Sequence, residues 1–489
     1  MNRRSLSMLM NDLVRIKDVD DVEVTGIANH SEHVKQGDLY MALEGEHNHG
    51  LDFLSDAITR GAKAVVWDGR EASIYRSTVP MVRVPNLREN MGFIADRFFD
   101  HPSARMGVVA VTGTDGKSSV SHYIAECLST DTRRCGLIGT LGYGCFGDLQ
   151  ASTYTTPDAL TTHRIIYELK QRDIDTVVIE ASSHGLVQGR LNGLTVDTAV
   201  FTNLGHDHLD YHGSHTEYMR AKRRLFEFDS LQTAIINADD KHAESMIHAC
   251  HRRVTVLSYS IESQLSAAYL IKAEPRRQGL ALRISILGKV MDVETRLFGE
   301  FNIHNVLATL LVLINHGLQV DEAVEQLSTI HPVDGRMQRF GGNNAPTVFV
   351  DYAHTPQALE QALKACRDYS DTNLICVFGC GGERDASKRP LMGAVAKHYA
   401  DQIVICDDNP RRENPEQICN DILKGIGKTA QHSVIHDRGR AITTVIKDAR
   451  PTDVILVAGK GHERYQIIKD ERKPFSDADF IQKALKGYQ

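Results

Sequence analysis

No stretch of this chain is apolar for long enough to cross a bilayer, which takes about 20 residues. The opening run Met1-Asn2-Arg3-Arg4-Ser5-Leu6-Ser7 lacks the apolar centre of a secretory signal. The expectation is a cytoplasmic protein with no membrane insertion. A basic excess is missing too: 56 lysines and arginines face 63 aspartates and glutamates, a formal net charge of -7. Phosphate backbones are gripped by clustered cations, so nucleic acid is not an expected partner. The nine cysteines never fall in C-x-x-C spacing, and read as structural thiols rather than a redox or metal framework. Cys376 and Cys380 lie in a buried-looking strand and the loop after it. Internal repeats and low-complexity tracts are absent.

What is present begins with Val108-Val109-Ala110-Val111-Thr112-Gly113-Thr114-Asp115-Gly116-Lys117-Ser118-Ser119. An apolar strand runs into a glycine turn that ends in Lys-Ser and then helix. Such a turn aims backbone N–H groups at an oxyanion, Lys117 adds a point charge, and Ser118 can ligate Mg²⁺. The spacing is shorter than the usual phosphate loop, because Val111 stands where its first glycine would be.

At 489 residues the length suggests roughly three domains. The first block, 1–105, mixes short strands (Gly37 to Leu43, Ala64 to Trp67) with helical stretches such as Asp52 to Arg60, and ends at a linker near His101-Pro102-Ser103. The second, 106–331, alternates apolar strands with helix-length segments, the pattern of a parallel sheet wrapped by helices. From Val254 to Leu297 its strands crowd together as an antiparallel annex, and helices from Asn302 and Asp321 lead to His331-Pro332. The third, 332–489, alternates again through Val348–Val350, Leu374–Phe378, Ile403–Ile405 and Val454–Val457, a Rossmann-like unit with charged residues and glycines after its strands.

Two strand ends in the middle block carry chemistry. Glu180-Ala181-Ser182-Ser183-His184-Gly185 follows one, and Asn203 to His212, with His206, His208 and His212, follows the next. Oxygen ligands with an imidazole beside a phosphate loop suit Mg²⁺ better than zinc; the alternative is a polar loop whose side chains satisfy one another. By composition alone, Lys222 in Arg220-Ala221-Lys222-Arg223-Arg224 belongs to a solvated helix face.

Taken in order, Gly113 to Ser118, Tyr154-Thr155-Thr156-Pro157, Glu180 to Leu186, Asn203 to Gly213, Ala221-Lys222 with Leu225-Phe226, Gly299 to Asn305, Gly335-Arg336-Met337, Val350 to Pro356, Phe378 to Pro390, Asp408-Asn409-Pro410-Arg411 and Ala458 to Glu463 resemble the Mur ligases. Within them the chain resembles the type that adds meso-diaminopimelate to a UDP-linked muramoyl dipeptide. The resemblance implies an α/β protein of three-domain Mur ligase architecture: a small N-terminal α/β domain for the acceptor nucleotide, a central P-loop-like ATPase domain with a parallel sheet, and a C-terminal Rossmann-like domain for the amino acid. It implies ATP and Mg²⁺ as cofactors, small-molecule substrates as the only partners, and a monomer.

The implied reaction phosphorylates the γ-carboxylate of the acceptor's glutamate, and the amine of the incoming amino acid then attacks the acyl phosphate. By resemblance Lys117, Lys222, His208 and Glu180 are catalytic. Gly113, Thr114, Asp115, Gly116, Lys117, Ser118 and Ser119 bind ATP, with Asn302 and Asn305 at adenine, Arg336 and Lys388 at phosphate, and Asp351 and His354 at the ribose side. Ser118, Glu180, His208 and carbamylated Lys222 hold metal; the carbamate turns a cation that would repel Mg²⁺ into an anion that can ligate it. Ser31, Thr155, Thr156, Ser182, Gln188 and Arg190 bind the acceptor. Arg389, Asp408, Asn409, Pro410, Arg411, Gly459 and Glu463 bind diaminopimelate, where the fork of Arg411 suits the distal carboxylate that lysine lacks.

The chain departs from the family's pattern in places. His30-Ser31-Glu32 stands where relatives show Asp-Ser-Arg, His49-Gly50 where they often have Asp-Gly, and Asp115 where asparagine is usual. Glu32 puts an anion near a diphosphate ligand, which is expected to weaken binding there. A related ligase acting on another carboxylated acceptor is the alternative this raises; a non-catalytic binding module is disfavoured by the intact nucleotide, metal and amino-acid residues.

Overall fold

The computed structural model describes residues 3–45, 47–69, 75–130, 133–427 and 430–488. Three sheets organise them. The first is parallel, with the order Gly26–Ala28, Asp38–Ala42, Ala64–Trp67, Met81–Arg83. Its Asp38–Ala42 strand is buried along its whole length, as expected where helices cover both faces. The helix Leu87–Phe98 packs on it, and the same apolar core takes in Ala159 and Leu160, the first residues of a helix of the middle block. Asn29 also donates to Asp158 at 3.2 Å. The first block therefore leans directly on the second.

The second sheet has eleven strands. Cys135–Gly139, Thr176–Glu180, Gly107–Thr112, Thr198–Phe201, Thr233–Asn237 and Thr255–Ser260 lie side by side and parallel. Beyond them Ala268–Arg276, Gly279–Ile286 and Lys289–Thr295 form an antiparallel annex, whereas Thr255–Ser260, expected within it, pairs parallel with both neighbours. Helices Lys117–Leu128 and Phe301–Asn315 share one apolar core with one face of the sheet. The strand Gly107–Thr112 lies between Thr176–Glu180 and Thr198–Phe201, with Val111 level with Glu180 and Thr112 level with Phe201. That neighbour relation brings three sequence-distant loops to one edge of the sheet, where such folds place ligands.

The third sheet runs Gln338–Gly342, Ala345–Asp351, Val454–Ala458, Leu374–Phe378, Gln402–Ile405, His432–Val434, parallel except for its first hairpin. Cys376 and Cys380 are buried, as the sequence pattern predicts. The short strands Gln338–Gly342 and His432–Val434 lie at the sheet's two edges and lack a continuous apolar run. The expected linker at His101-Pro102-Ser103 is structured. Pro102–Arg105 forms a 3₁₀ turn, and buried Ser103 accepts from the Thr195 amide at 3.0 Å. Among the described residues no helix is long and apolar enough to cross a membrane.

Candidate active site

The phosphate loop is shaped by the strand end next to it. Thr202 Oγ1 and Asn203 Nδ2 donate to the Asp115 carbonyl at 2.6 and 3.1 Å, and the amides of Asp115 and Gly205 donate back to Asn203 Oδ1 and Thr114 Oγ1 at 3.0 and 2.8 Å. A Cβ at Gly113 would sit 1.8 Å from Thr202 Oγ1, so the close approach itself requires glycine. Lys117 folds back over the loop and donates to the carbonyls of Gly113 and Thr114, both at 2.8 Å. Ser119 opens into the cavity beside the loop.

Glu180, fully buried, accepts from Ser118 Oγ at 2.8 Å, from the Thr140 amide at 2.9 Å and from Thr140 Oγ1 at 3.0 Å. Lys222 is not on a solvated face. It is 1% exposed, lies 4.5 Å from the Tyr218 ring centre, and donates to the Gly113 carbonyl at 2.6 Å. Burial, with Lys117 close by, pushes its ammonium well below the usual lysine range.

His208 adopts the left-handed conformation, φ 54°, and its ring feels the charges of Lys117 and Lys222. Burial lowers its imidazole to about 4, with Lys117 and Lys222 adding to the effect against the pull of Asp207. His184, 4.7 Å away between ring centres, is likewise lowered to about 4, first by burial and then by His208. Both rings are neutral at physiological pH and so have a free nitrogen lone pair. Asp207 stands 3.3 Å from His208 and 3.9 Å from His354 of the third block. Burial works against its charge, yet His208, His354 and Lys388 hold its carboxyl below the usual range.

Between the second and third blocks lies a cavity of about 330 Å³ lined by Asp115, Asn305, Arg336, Asp351 and Tyr352 among others. The Arg336 guanidinium sits 4.5 Å over the Tyr352 ring, and its Nε is buried with no partner among the described residues. Asp351 accepts from the Met337 and Ala353 amides at 2.8 and 2.9 Å, and burial raises it to about 6. Asn302 stands behind Asn305: its amide donates to the Phe298 carbonyl at 2.7 Å, and its Oδ1 accepts from Asn305 Nδ2 at 2.9 Å.

The diaminopimelate residues also come together. Asn409 Nδ2 donates to Glu463 at 2.8 Å, and fully buried Lys460 donates to both Asn409 and Glu463, at 3.0 and 2.7 Å. Pro410 leads into Arg411, which takes φ 54°; the Arg411 guanidinium donates to the Gly382 carbonyl at 2.7 Å and has no carboxylate within ion-pair distance among the described residues. A Cβ at Gly459, φ 109°, would come within 2.7 Å of Asp408 Oδ2. Arg389 differs from the rest. It is buried and already neutralised, with both Glu413 oxygens at 2.7 Å and Asp421 at 3.1 Å.

The acceptor residues line the junction of the first two blocks. Thr155 Oγ1 is 3.0 Å from Thr140 Oγ1, Thr156 Oγ1 donates to the Glu180 carbonyl at 2.6 Å, and Ser182 Oγ lies 3.0 Å from Thr156 Oγ1. Arg190 donates to the Thr156 carbonyl at 2.6 Å and to Gln188, and its guanidinium lies 5.1 Å from the Tyr154 ring centre. Gln188 and Arg190 face Ser31 and Glu32 across a cavity of about 400 Å³ that Arg88 also enters. The anion brought by Glu32 thus shares its cavity with two guanidinium groups. His49 lies outside that lining. It caps the turn Gly50–Phe53, accepting from the Leu51 amide at 3.0 Å and donating to the Asp68 carbonyl at 2.7 Å.

Sequence reasoning missed Thr140 and Arg88, and gave Asp207 and Lys460 no role of their own within the stretches it singled out. Thr140 and Asp207 follow buried strands next to known site strands, a signal that strand order would have revealed. Arg88 carries no local signal on its amphipathic helix.

Three profiles cover the chain in order: Mur ligase family, catalytic domain, over 23–99; Mur ligase middle domain over 111–313; and Mur ligase, glutamate ligase domain, over 335–461. The chain belongs to the Mur ligase family. It is 43% identical over 492 aligned residues to UDP-N-acetylmuramoyl-L-alanyl-D-glutamate–2,6-diaminopimelate ligase of Alkalilimnicola ehrlichii, covering 98% of each chain. It is 42% identical to the enzyme of the same name from Chromobacterium violaceum, over 94% of this chain and 93% of that one. A solved structure of a ligase of that name superposes with a TM-score of 0.73 at 33% identity, over 100% of this chain and 99% of that chain.

Proposed function

We propose that this chain uses ATP to join meso-diaminopimelate to the γ-carboxylate of UDP-N-acetylmuramoyl-L-alanyl-D-glutamate, a step of peptidoglycan synthesis. The observation that carries the reading is the single cleft edge where the phosphate loop, Glu180, Lys222 and His208 meet groups from the third block. Three separate sheets support a division into 1–105 for the acceptor nucleotide, 106–331 for ATP and 332–489 for the amino acid.

A carboxylate is a poor electrophile, and hydroxide a poor leaving group. A γ-carboxylate oxygen therefore attacks the γ-phosphorus, and the bond to ADP breaks with its electron pair leaving on the β-phosphate. Lys117 and the loop amides hold the transferring phosphoryl group, as positioned donors do for developing charge. Arg336, whose buried Nε lacks a partner among the described residues, is placed to take phosphate oxygens, and Asn305 and Asp351 face the nucleoside. The diaminopimelate amine then attacks the acyl carbon, the tetrahedral adduct expels inorganic phosphate, and the amine loses its proton.

The oxygen donors Ser118 and Glu180 with neutral His208 fit Mg²⁺, which when bound neutralises charge between the two anions. Lys222 fits carbamylation: a buried amine with a depressed pKa reacts with CO₂ as a nucleophile, and the carbamate adds another oxygen ligand. The amino acid is chosen by Arg411, whose fork grips the distal carboxylate, with Asp408, Asn409, Gly459 and Glu463 around it. Arg389 supports this pocket through Glu413.

Phosphate release from ATP in the presence of the muramoyl-dipeptide nucleotide and diaminopimelate tests the reading, with isothermal titration of the acceptor nucleotide beside it. Turnover and binding are expected. Silence with that acceptor but turnover with another carboxylated one would replace it with the related-ligase reading.

A further inference from the structure

Behind the loop that carries Asp408 and Arg411, three side chains of metal-binding type converge. Asp407 follows the strand Gln402–Ile405, His436 follows the neighbouring strand His432–Val434, and Cys419 sits on the helix Pro415–Ile426 between them. One ligand atom from each lies within 4.8 Å of the other two, and among the described residues no other trio of histidine, cysteine or acidic residues meets so closely. Asp407 Oδ1 is 2.9 Å from His436 Nδ1, and the Asp407 amide donates to the His436 carbonyl at 3.1 Å. The backbone thus holds two of the three in register. Cys419 forms the buried floor, while the His436 ring is 45% exposed and tethered through Nδ1 to Asp407.

We propose that Asp407, Cys419 and His436 bind a borderline divalent cation of the zinc class, separate from the cation that accompanies ATP. One thiolate, one imidazole and one carboxylate match zinc's preferences, whereas magnesium takes oxygen ligands. Zinc bonds of about 2.0–2.3 Å put tetrahedral ligand atoms roughly 3.3–3.8 Å apart. Closing the trio to that spacing takes about an ångström of movement, which rotation of the exposed imidazole supplies. The thiol proton leaves to solvent as its sulfur bonds the cation. Carboxylate and thiolate then balance the two positive charges, so the buried Cys419 carries no uncompensated charge. Three protein ligands leave a fourth position for water. Gln466 Nε2 donates to the carbonyls of both Asp407 and Asp408, at 3.1 and 2.9 Å, so a cation on Asp407 fixes the start of the loop that bears Asp408 to Arg411. Sequence spacing hides the trio, because its members come from three elements.

Titration of the full chain with Co²⁺ tests this. The expected result is a thiolate-to-cobalt charge-transfer band in the near ultraviolet that saturates at one ion per chain, persists in excess Mg²⁺ and is bleached by Zn²⁺. Cys419→Ser abolishes the band, and His436→Ala, an exposed position, weakens Co²⁺ binding roughly tenfold or more with thermal unfolding unchanged. No band, an equal band in Cys419→Ser, or loss of the band to Mg²⁺ would overturn the proposal. If Cys419→Ser does not fold, the His436→Ala titration decides: unchanged affinity rejects the site.

Discussion

Lys222 and Lys117 donate to the same oxygen, the Gly113 carbonyl, at 2.6 and 2.8 Å. Two ammonium groups on one buried acceptor repel each other. Glu180 and Asp115 offset the effect of burial on Lys117, but Lys222 is driven further down. The relationship marks Lys222 as the more strongly destabilised of the two ammonium groups.

Lys222→Ala is therefore expected to lower phosphate release by about 100-fold or more, the scale of a lost electrostatic group at the transition state. A small added carboxylate such as acetate should restore part of the rate by occupying the vacated position. An active variant, or a dead one with no rescue, removes the carbamate from the mechanism.

Asp115 carries an anion into the nucleotide cavity and works against burial at both lysines. Asp115→Asn should tighten ATP binding severalfold, on the order of 1 kcal/mol for a partly screened charge. Titration calorimetry with ATP reads this directly, and weaker binding would mean that Asp115 orders the loop instead.

Arg411 has its guanidinium on a carbonyl rather than a carboxylate, as befits a group kept for a ligand anion. Arg411→Ala should raise the KM for diaminopimelate by at least 100-fold, in line with roughly 3–5 kcal/mol for removing one member of a desolvated ion pair. The KM for ATP should stay within about twofold, since only uniform binding of the amino acid is lost. Equal losses for the two substrates would mark Arg411 as structural.

Gly459 has no room for a side chain: φ is 109° and a Cβ would press on Asp408 Oδ2 at 2.7 Å. Gly459→Ala is expected to cost about 1–3 kcal/mol of local strain, seen as a tenfold or greater rise in the diaminopimelate KM. Unchanged kinetics would show that Asp408 moves freely.

His184 and His208 fall from the ordinary 6.5 to about 4 in the folded chain, chiefly through burial. Between those values the unfolded chain binds protons that the folded chain does not, so stability is full above about pH 6.5 and is lost as pH falls toward 4. Urea unfolding at about pH 7.5 and pH 5 should show the drop, and His184→Gln should shrink it. An identical drop in the variant would assign it to other groups.

Much of the fold was legible because local pattern and tertiary role agree. In the strand Gly107–Thr112 the run Val108 to Val111 is apolar and buried, and the alternation of such runs with helices of amphipathic period announces parallel sheets. The edge strand His432–Val434 escaped because its three residues are exposed and carry no period. In the site, the glycines and Lys117 signal themselves by type and spacing. Lys222 does not: Arg220 and Arg223 beside it are surface residues, and only the packing of its helix turns it inward.

By itself the sequence determined the phosphate loop, the order of the three blocks and the family, because each rests on residues adjacent in the chain. Tertiary structure alone decided which charges are alone and which are paired. Arg389 is met by Glu413 and Asp421, Glu32 lines one cavity with Arg88 and Arg190, and Lys222 shares the Gly113 carbonyl with Lys117. Electrostatic energy depends on distance and burial, and neither is written in the spacing of residues along a chain.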